Sequence, residues 1–317
     1  MSSESTGVNR PKDYDPKFYE QFYHVTPQER EFFLAQTGIN DDEDLKRHIM
    51  SVQEDALKVA PYTCIRIFAF TKLILSRLPA YNQVLRIGKE RKGAIFLDIG
   101  CCFGVDVRKA VTDGFPVENA LGSDLHPEYW DLGHKLFKTT AKEFPAHFIG
   151  GDAFSPDFFE TAPVFDSTPN TPAPALSSLQ TLTPMNGRVS AIHASSFFHL
   201  FDEAKQFELA RKLAGLLSPE PGSIILGGHA GQPVKGMWDR RTLTSGGQMF
   251  CHSPESWREL WDEQVFEKGK VKVDVVLKPV RDLVQAEDSK EWIDKAQKPE
   301  MLDTGDYQVL IWSVTRL

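Results

Sequence analysis

The amino-acid sequence predicts an α/β protein in which seven strands form one open sheet with helices on both faces. Two observations carry this prediction. From residue 94 onward, short apolar runs alternate with segments of helical periodicity, as in folds that join parallel strands through helices. The last two runs, 271–277 and 307–315, alternate apolar and polar residues, which is typical of half-buried strands in a hairpin-like pair.

About 90 residues precede the first strand and predict an N-terminal helical lobe, residues 1–90. Thr26-Pro-Gln-Glu29 has the form of a capping box with proline at the first helical position. A second helix should carry Leu45, Ile49, Val52 and Leu57 on one face. A third, from about Cys64 to Leu78, is apolar nearly all round and should be buried. Such a lobe is expected to cover the carboxyl edge of the sheet.

The remaining residues, 91–317, should form the sheet domain. The predicted strands are 94–98, a run ending at Asp124, 146–150, 188–193, 222–227 and the two terminal runs. Helices should span 105–113, begin at Pro127, follow Asp202 as far as Leu217, and begin after Ser253. Residues 155–188 contain six prolines and many Ser and Thr, so we expect an excursion over the surface, with a short helix around Ala175 to Leu182.

Composition narrows the class of protein. A net charge of -8 argues against a surface that tracks phosphates, so no nucleic-acid partner is expected. The four cysteines show neither C-x-x-C spacing nor a disulfide framework, which favours reduced thiols in a cytoplasmic protein. No window approaches a membrane span, and no spacing suggests a metal site.

The segment from Ala94 to Gly104 separates two classes of nucleotide cofactor. Asp98 ends the first strand, and Gly100 and Gly104 then form a turn into the next helix, so the pattern is D-x-G-x-x-x-G. A nicotinamide-binding turn has the spacing G-x-G-x-x-G, with its acidic residue after the second strand. Here the acidic residue precedes the glycines, and the spacing therefore disfavours an NAD-dependent dehydrogenase.

Three carboxylates, Asp98, Asp124 and Asp152, fall at the ends of three successive predicted strands. Each alone could be a helix cap or a turn former. Ligands of open parallel sheets bind at the carboxyl ends of the strands, and a carboxylate there can accept two hydrogen bonds from vicinal ribose hydroxyls. Asp124 is the residue we expect in that role. Three such residues in register favour a cofactor site.

The turn resembles the first motif of class I S-adenosylmethionine (SAM) methyltransferases, D/E-x-G-x-G-x-G, with Cys102 at the middle glycine. Together, residues 61–66, 96–104 and 195–201 are similar to fungal secondary-metabolite methyltransferases, including meroterpenoid O-methyltransferases. The resemblance implies a seven-stranded Rossmann-like sheet with an antiparallel seventh strand, SAM as cofactor and S-adenosylhomocysteine as product. It also implies that an acidic residue after the third strand binds adenine. The expected cofactor-binding residues are Asp98, Gly100, Cys101, Gly104, Asp124, Leu125, Asp152, Ala153, Phe154 and His193.

Candidate catalytic residues follow the fourth and fifth strands. His193 ends the fourth strand, and His229 lies in Gly227-Gly-His-Ala-Gly231, interpreted as a glycine-rich turn open to a ligand. Both histidines could instead be structural. Ser196 and Phe197 follow His193 and should contact the acceptor. From the lobe, we expect four residues to line the pocket over the methyl group: Phe22, Tyr23, Tyr62 and Arg66.

The function that these features predict is methyl transfer to a carboxylate or hydroxyl oxygen of a small, largely apolar terpenoid or polyketide metabolite. A carboxylate needs no base at neutral pH, whereas a hydroxyl would benefit from a histidine. Two alternatives remain open, N-methylation of a small amine and a non-catalytic methyltransferase-like regulator of secondary metabolism. The sequence does not identify the acceptor.

Overall fold

The computed structural model describes residues 19–239, 248–279 and 307–317. Its central feature is a seven-stranded sheet in the order β3-β2-β1-β4-β5-β9-β8. The strands are β1 Phe96–Ile99, β2 Ala120–Asp124, β3 His147–Gly150, β4 Ala191–His193, β5 Ile224–Gly231, β8 Val271–Pro279 and β9 Gln308–Arg316. The first five pair in parallel, and β9 runs antiparallel to both of its neighbours, β5 and β8. The predicted sheet, with its reversed seventh strand, is confirmed.

Helices cover both faces of this sheet. They are α1 Pro27–Thr37, α2 Asp42–Val59, α3 Thr63–Arg66, α4 Ile74–Arg77, α5 Tyr81–Glu90, α6 Val105–Thr112, α7 Pro127–Leu136, α8 Glu203–Leu216 and α9 Pro254–Glu259, which continues as a π-helical turn, Leu260–Val265. Successive residues of a strand point to opposite faces. Phe96 accordingly joins the apolar cluster of α5 and α6, and Leu97 joins the cluster of α8 and α9.

The N-terminal helices pack against the turn that follows β1 and against α7. The capping box of α1 is present: the backbone N–H of Thr26 donates to Glu29 Oε2 at 2.8 Å. Helix α2 buries Leu45, Ile49 and Val52 in one cluster with Phe103 of the β1–α6 turn. The lobe therefore contacts the edge of the sheet at which β1 ends.

The prediction of a single buried helix from Cys64 to Leu78 is wrong. That segment contains α3, a 3₁₀ turn over Ala69–Thr71, and α4, and Phe68 between them has a φ of 57°. Most of its apolar side chains are buried as expected, but a sequence that is apolar on every side has no periodicity that requires one continuous helix. The amide of Gln53 donates to the carbonyls of Ile65 and Arg66, both at 3.0 Å. A side chain thus satisfies carbonyl groups near the end of α3, where the helix stops.

The prediction of a glycine-rich turn from Gly227 to Gly231 is also wrong, because these residues continue strand β5. They pair with β9 as far as Gly231 opposite Gln308. Close packing explains two of these glycines: an added Cβ would lie 2.4 Å from the carbonyl oxygen of Ala194 at Gly227, and 2.4 Å from Leu310 Cγ at Gly231. Two further strands that the sequence did not predict, β6 Gly236–Asp239 and β7 Gln248–Cys251, pair with each other.

Residues 155–188 do not simply lie on the surface. They contain two 3₁₀ turns, Leu176–Ser178 and Thr183–Met185, in place of the short helix predicted around 175–182. Six of their side chains are buried in the cluster of α8: Phe158, Phe159, Leu176, Leu179, Leu182 and Met185. Spaced apolar residues thus anchor an irregular chain. Among the described residues, no helix combines the length and apolar character that crossing a membrane requires.

Candidate cofactor and acceptor site

The turn between β1 and α6 is left-handed at three positions. The φ angles are 74° at Gly100, 50° at Cys102 and 65° at Gly104. Glycine adopts such angles without steric cost, which explains the motif, and Cys102 bears that cost where the motif has its middle glycine. A Cβ on Gly104 would also lie 2.4 Å from the ring of Trp130. The conformation of this turn therefore depends on glycine at positions 100 and 104.

Asp124 joins the end of β2 to that turn. Its Oδ2 accepts from the backbone N–H of Cys102 at 2.8 Å, and its Oδ1 accepts from the N–H of His126 at 3.0 Å. Burial raises the pKa of Asp124, although both backbone hydrogen bonds oppose the rise. Each carboxylate oxygen keeps further acceptor capacity. The half-buried group can therefore bind two vicinal hydroxyls, and it fits an adenosyl cofactor.

Asp98 forms a buried chain of hydrogen bonds with two residues that follow it by almost a hundred positions. Its Oδ1 lies 2.8 Å from His193 Nδ1, and His193 Nε2 lies 2.6 Å from Ser195 Oγ. Strand pairing places Asp98 opposite His193, so β1 and β4 bring the two side chains together. The Ser195 oxygen also accepts from the N–H of Gly228 at 3.1 Å.

A second carboxyl group, that of half-buried Asp106 in α6, lies within electrostatic range of this chain. Its Oδ1 accepts from the backbone N–H of Leu75 at 3.0 Å, which holds the start of α4. Burial raises the pKa of Asp106 to about 7, with the Asp98 charge adding to the rise and His193 opposing it. Two carboxyl groups thus lie near His193, and that of Asp106 retains its proton up to near-neutral pH.

The residues after β3 lie beside Asp124, since Gly151 N–H donates to the Asp124 carbonyl at 2.9 Å. Asp152 is exposed and accepts from the N–H of Phe154 at 2.9 Å. Ala153 is buried, whereas Leu125, which directly follows the end of β2, is 54% exposed. Asp152, Leu125 and half-buried Phe154 thus present an acidic group and apolar surface at one edge of the sheet.

Two aromatic groups flank the turn. Phe197 is half-buried against Gly100, where a Cβ would lie 2.8 Å from its ring, and it packs edge-on against Phe201 with ring centres 5.4 Å apart. On the lobe side, the Tyr62 hydroxyl lies 3.0 Å from His126 Nε2. Burial, followed by the charge of Asp124, raises the pKa of Tyr62. The strand ends therefore lie between aromatic side chains.

Comparisons with known proteins decide the class of enzyme. A family model described as the meroterpenoid methyltransferase N-terminal domain matches residues 18–71. O-methyltransferase phiE of Fungal sp. (strain ATCC 74256) is 33% identical over 227 residues, which cover 72% of this chain and 67% of that protein. Methyltransferase adrK of Penicillium roqueforti is 30% identical over 266 residues, which cover 82% of this chain and 85% of that protein. The chain belongs to this family of fungal methyltransferases.

A third relative is the asnovolin E/chermesin D methyltransferase nvfJ of Aspergillus novofumigatus (strain IBT 16806), 28% identical over 227 residues that cover 71% of this chain and 72% of that one. The predicted class, a SAM-dependent methyltransferase of fungal secondary metabolism, is confirmed at the level of the family. The roles of individual residues in the methyltransferase stay predictions.

The other lobe residues expected at the pocket lie at different depths. Phe22 is buried within the apolar cluster of the lobe, and Tyr23 packs edge-on against Phe68 with ring centres 5.4 Å apart. Arg66 is half-buried, and its Nε has no hydrogen-bond partner among the described residues. Tyr62 is the member of the set that lies within hydrogen-bond distance of a residue following β2.

His229 of the methyltransferase lies inside β5 and not in a turn open to a ligand. It is 2% exposed, and Trp312 Nε1 donates to its Nδ1 at 2.9 Å. The rings of Phe198 and Trp257 surround it, with centres 5.5 and 4.6 Å away. Burial lowers its pKa well below the usual value, so the ring is neutral at neutral pH. The histidine is a packed core residue.

Ser195, Asp106 and Phe201 were not singled out from the sequence. Ser195 is adjacent to the predicted Ser196, which is exposed and has a φ of 52°. The polar–apolar alternation over 193–195 could have indicated that Ser195 lies on the same side of the chain as His193. Asp106 gave no signal, because an acidic residue in the first turn of a helix is expected on electrostatic grounds alone.

Proposed function

We propose that this methyltransferase transfers a methyl group from SAM to a carboxylate or hydroxyl oxygen of a small, largely apolar metabolite of terpenoid or polyketide type. The observation that carries the proposal is the Asp124 carboxylate held at the glycine turn by two backbone N–H groups. The name of phiE, an O-methyltransferase, supports oxygen as the acceptor atom, and the description of the matching family model, a meroterpenoid methyltransferase domain, supports a terpenoid-type acceptor.

The cofactor would bind across the carboxyl ends of β1, β2 and β3. Asp124 would hold the ribose hydroxyls, and the backbone of Gly100, Cys101 and Gly104 would lie against the amino-acid portion. Asp152 would bind the adenine amino group, with Leu125, Ala153 and Phe154 against the ring. When bound, SAM supplies a methyl group made electrophilic by its attachment to a positively charged sulfur.

The acceptor would enter between Phe197 and the lobe. Phe197, Phe201 and Phe154 form a connected aromatic wall, with Phe154 and Phe201 ring centres 4.7 Å apart. Ser196 and Phe197 would contact the acceptor from β4, and Tyr62 and Arg66 from the lobe. Tyr23 and Phe22 support that side of the site through Phe68 and the apolar cluster. Methyl transfer is a direct displacement, so the protein mainly aligns the two reactants and excludes water.

Two measurements test the proposed function. Isothermal titration should show binding of SAM and S-adenosylhomocysteine but not of NAD. Mass spectrometry of incubations with isoprenoid and polyketide acids, alcohols, phenols and amines should then show methyl esters or methyl ethers. Methylated amines alone would favour an N-methyltransferase, and binding without any product would favour a non-catalytic regulator. Heat from NAD with none from either sulfur ligand would contradict the cofactor assignment.

A further inference from the structure

A cavity of about 410 Å³ lies at the edge of the sheet opposite the candidate cofactor site. Arg316 at the end of β9 lines this cavity, and its backbone N–H donates to the carbonyl of Ser223, which directly precedes β5. The candidate site lies toward the other end of β5, where Gly228 N–H donates to Ser195. A strand rises about 3.3 Å per residue, so these two contacts lie roughly 15 Å apart along β5. The cavity is therefore separate from the site proposed for methyl transfer.

Arg316 supplies a buried positive charge to the cavity. It is 7% exposed, and its Nη2 donates to the carbonyl of Phe165 at 2.9 Å. Its guanidinium lies over the ring of Phe266, 5.2 Å from the ring centre. Its Nε has no hydrogen-bond partner among the described residues. A buried N–H group without an acceptor is costly, so Arg316 Nε–H is a donor available to a ligand oxygen.

Two further cations line the same cavity. Arg211 of α8 lies over the ring of Phe207, 5.9 Å from its centre, and Lys270 directly precedes β8. Both cations are exposed. Within the described parts of the chain, no carboxylate forms an ion pair with either of them or with Arg316. Aromatic ring faces and solvent therefore compensate these charges, which leaves them able to pair with an anion.

The charge of the cavity restricts the anion. Asp166 and Glu267 also line it, so its three cations exceed its carboxylates by one positive charge. The charge of Asp166 acts on Arg316. A singly charged anion matches this excess, whereas the two carboxylates would repel the several negative charges of a diphosphate.

The rest of the lining restricts the body of the ligand. Apolar side chains from three parts of the chain enclose it: Ala162 and Val164 of the 155–188 excursion, Phe207 of α8, and Val265 and Phe266 after α9. Pockets of a few hundred Å³ with an apolar lining and a few polar groups are typical of sites for small organic molecules. The cavity thus combines donors for one anionic group with an apolar surface beside them.

We propose that this cavity binds a small organic acid with one carboxylate on an apolar body. The carboxylate would accept a hydrogen bond from Arg316 Nε–H and pair with Arg211 and Lys270, while the apolar body would lie between Phe207 and Phe266. No bond forms or breaks at this site. The proposal goes beyond methyl transfer and stands whichever acceptor the enzyme methylates.

The first experiment observes Arg316 directly, with 4-phenylbutyrate as the probe. Nuclear magnetic resonance of the full chain labelled with ¹⁵N-arginine, saturated with S-adenosylhomocysteine, reports the Nε–H groups. The probe should shift the signal of Arg316, which Arg316→Lys identifies by its loss, with a Kd of about 1 mM or tighter. The neutral analogue 4-phenylbutanol and inorganic phosphate should each bind at least about tenfold more weakly. An Arg316 signal that the probe does not shift overturns the proposal, as does equal binding of either analogue.

The second experiment uses exposed residues, whose substitution leaves the core intact. The double variant Arg211→Gln/Lys270→Gln should weaken binding of 4-phenylbutyrate about tenfold in calorimetry, because each cation contributes a partly exposed ion pair. The matched control is Lys268→Gln, which removes a neighbouring exposed lysine that pairs with Glu263. It should leave the affinity unaltered. Equal affinities in the double variant and the control overturn the proposal.

A further variant separates this cavity from the acceptor site, since 4-phenylbutyrate is itself an apolar acid. Phe197→Ala alters the aromatic wall proposed for the acceptor and should leave probe binding at Arg316 unchanged. Binding that is lost in Phe197→Ala and kept in Arg211→Gln/Lys270→Gln would place the probe at the acceptor site, which overturns this proposal and leaves the proposed function standing. Failure of the protein to bind S-adenosylhomocysteine would overturn the proposed function alone, because the shift of the Arg316 signal can be measured without that ligand.

Discussion

The backbone N–H of Cys102 donates to Asp124 Oδ2 at 2.8 Å, which fastens the glycine turn of β1 to the end of β2. Asp124 therefore has a structural role in addition to the proposed contact with ribose. A change at this position should consequently affect folding as well as binding, and the two effects can be measured separately.

Asp124→Ala should weaken S-adenosylhomocysteine binding at least tenfold, since charge-assisted hydrogen bonds contribute about 1.5–3 kcal/mol each. It should also lower the free energy of unfolding by about 1–2 kcal/mol, because two backbone donors lose their acceptor. Calorimetry and urea unfolding measure the two effects. Asp152→Ala is the matched comparison for stability: Asp152 is exposed and caps one N–H, so its loss should be smaller. Equal losses would contradict the role given to Asp124 in the turn.

Much of the fold could be predicted because its signals are local. The capping box at Thr26, the strand ending at Asp124 and the proline at the start of α7 each depend on a few neighbouring residues. The break at Phe68 could not be predicted, since it depends on Gln53 reaching two carbonyl groups from another helix. Continuation of β5 through Gly231 likewise depends on the length of its partner β9.

In the candidate site too, residues with a local sequence signal could be predicted, and contacts between distant residues could not. The carboxylates at strand ends were recognisable from their spacing. The contact between Asp98 and His193 joins residues 95 positions apart, and its partner Ser195 has no motif of its own. His229 was misplaced because glycines in a strand and in a turn look alike in sequence, although here they permit close packing of β5 against its neighbours.

Cys102 should tolerate glycine but not a β-branched residue. Its φ of 50° is left-handed, and β-branched side chains are the least suited to that region. Cys102→Gly should keep S-adenosylhomocysteine affinity and change stability by less than about 1 kcal/mol, because relief of strain offsets lost contacts. Cys102→Val should lower stability by about 1–2 kcal/mol or more and weaken binding. Calorimetry with urea unfolding distinguishes the two, and a valine variant as stable as the glycine variant would contradict the prediction.

Gly104 should be intolerant of alanine for two reasons that a control can separate. Gly93 and Gly104 both have positive φ, 72° and 65°, but a Cβ on Gly93 would meet nothing within 4 Å. Gly93→Ala should therefore cost only the left-handed conformation, about 1–2 kcal/mol. Gly104→Ala should cost about 1–3 kcal/mol more, because its Cβ would lie 2.4 Å from Trp130. Equal losses in urea unfolding would show that Trp130 moves aside freely.

Glu29 is the buried centre of an ion-pair network in the lobe. It is 0% exposed and pairs with Lys72 Nζ at 3.0 Å and with Arg77. Glu29→Gln would leave two cations uncompensated and should lower the free energy of unfolding by about 3–5 kcal/mol. The exposed pair of Arg30 and Asp42 is the control, and Asp42→Asn should cost less than about 1 kcal/mol. Similar midpoints for the two variants in urea would contradict the assignment of Glu29 to the lobe core.

His252 should make the protein less stable in acid. Burial, followed by the charge of Lys235, lowers its pKa from 6.5 to about 4. In this window the unfolded state binds a proton that the folded state does not, so stability is full above pH 6.5 and is lost as the pH falls toward 4. The loss from this residue between pH 7.5 and 4.5 should be roughly 2.5 kcal/mol.

His252→Gln removes that titration while keeping a polar group beside Ser256, whose Oγ lies 2.9 Å from His252 Nδ1. The difference between the unfolding free energies at pH 7.5 and pH 4.5 should therefore shrink by roughly 2.5 kcal/mol in the variant. Other groups cancel in this comparison. Asp106, for example, has a pKa raised to about 7 by burial, so its contribution to the free energy of unfolding increases as the pH falls. This contribution is the same in both proteins. If both proteins lose the same stability on acidification, His252 is not the residue that burial keeps neutral.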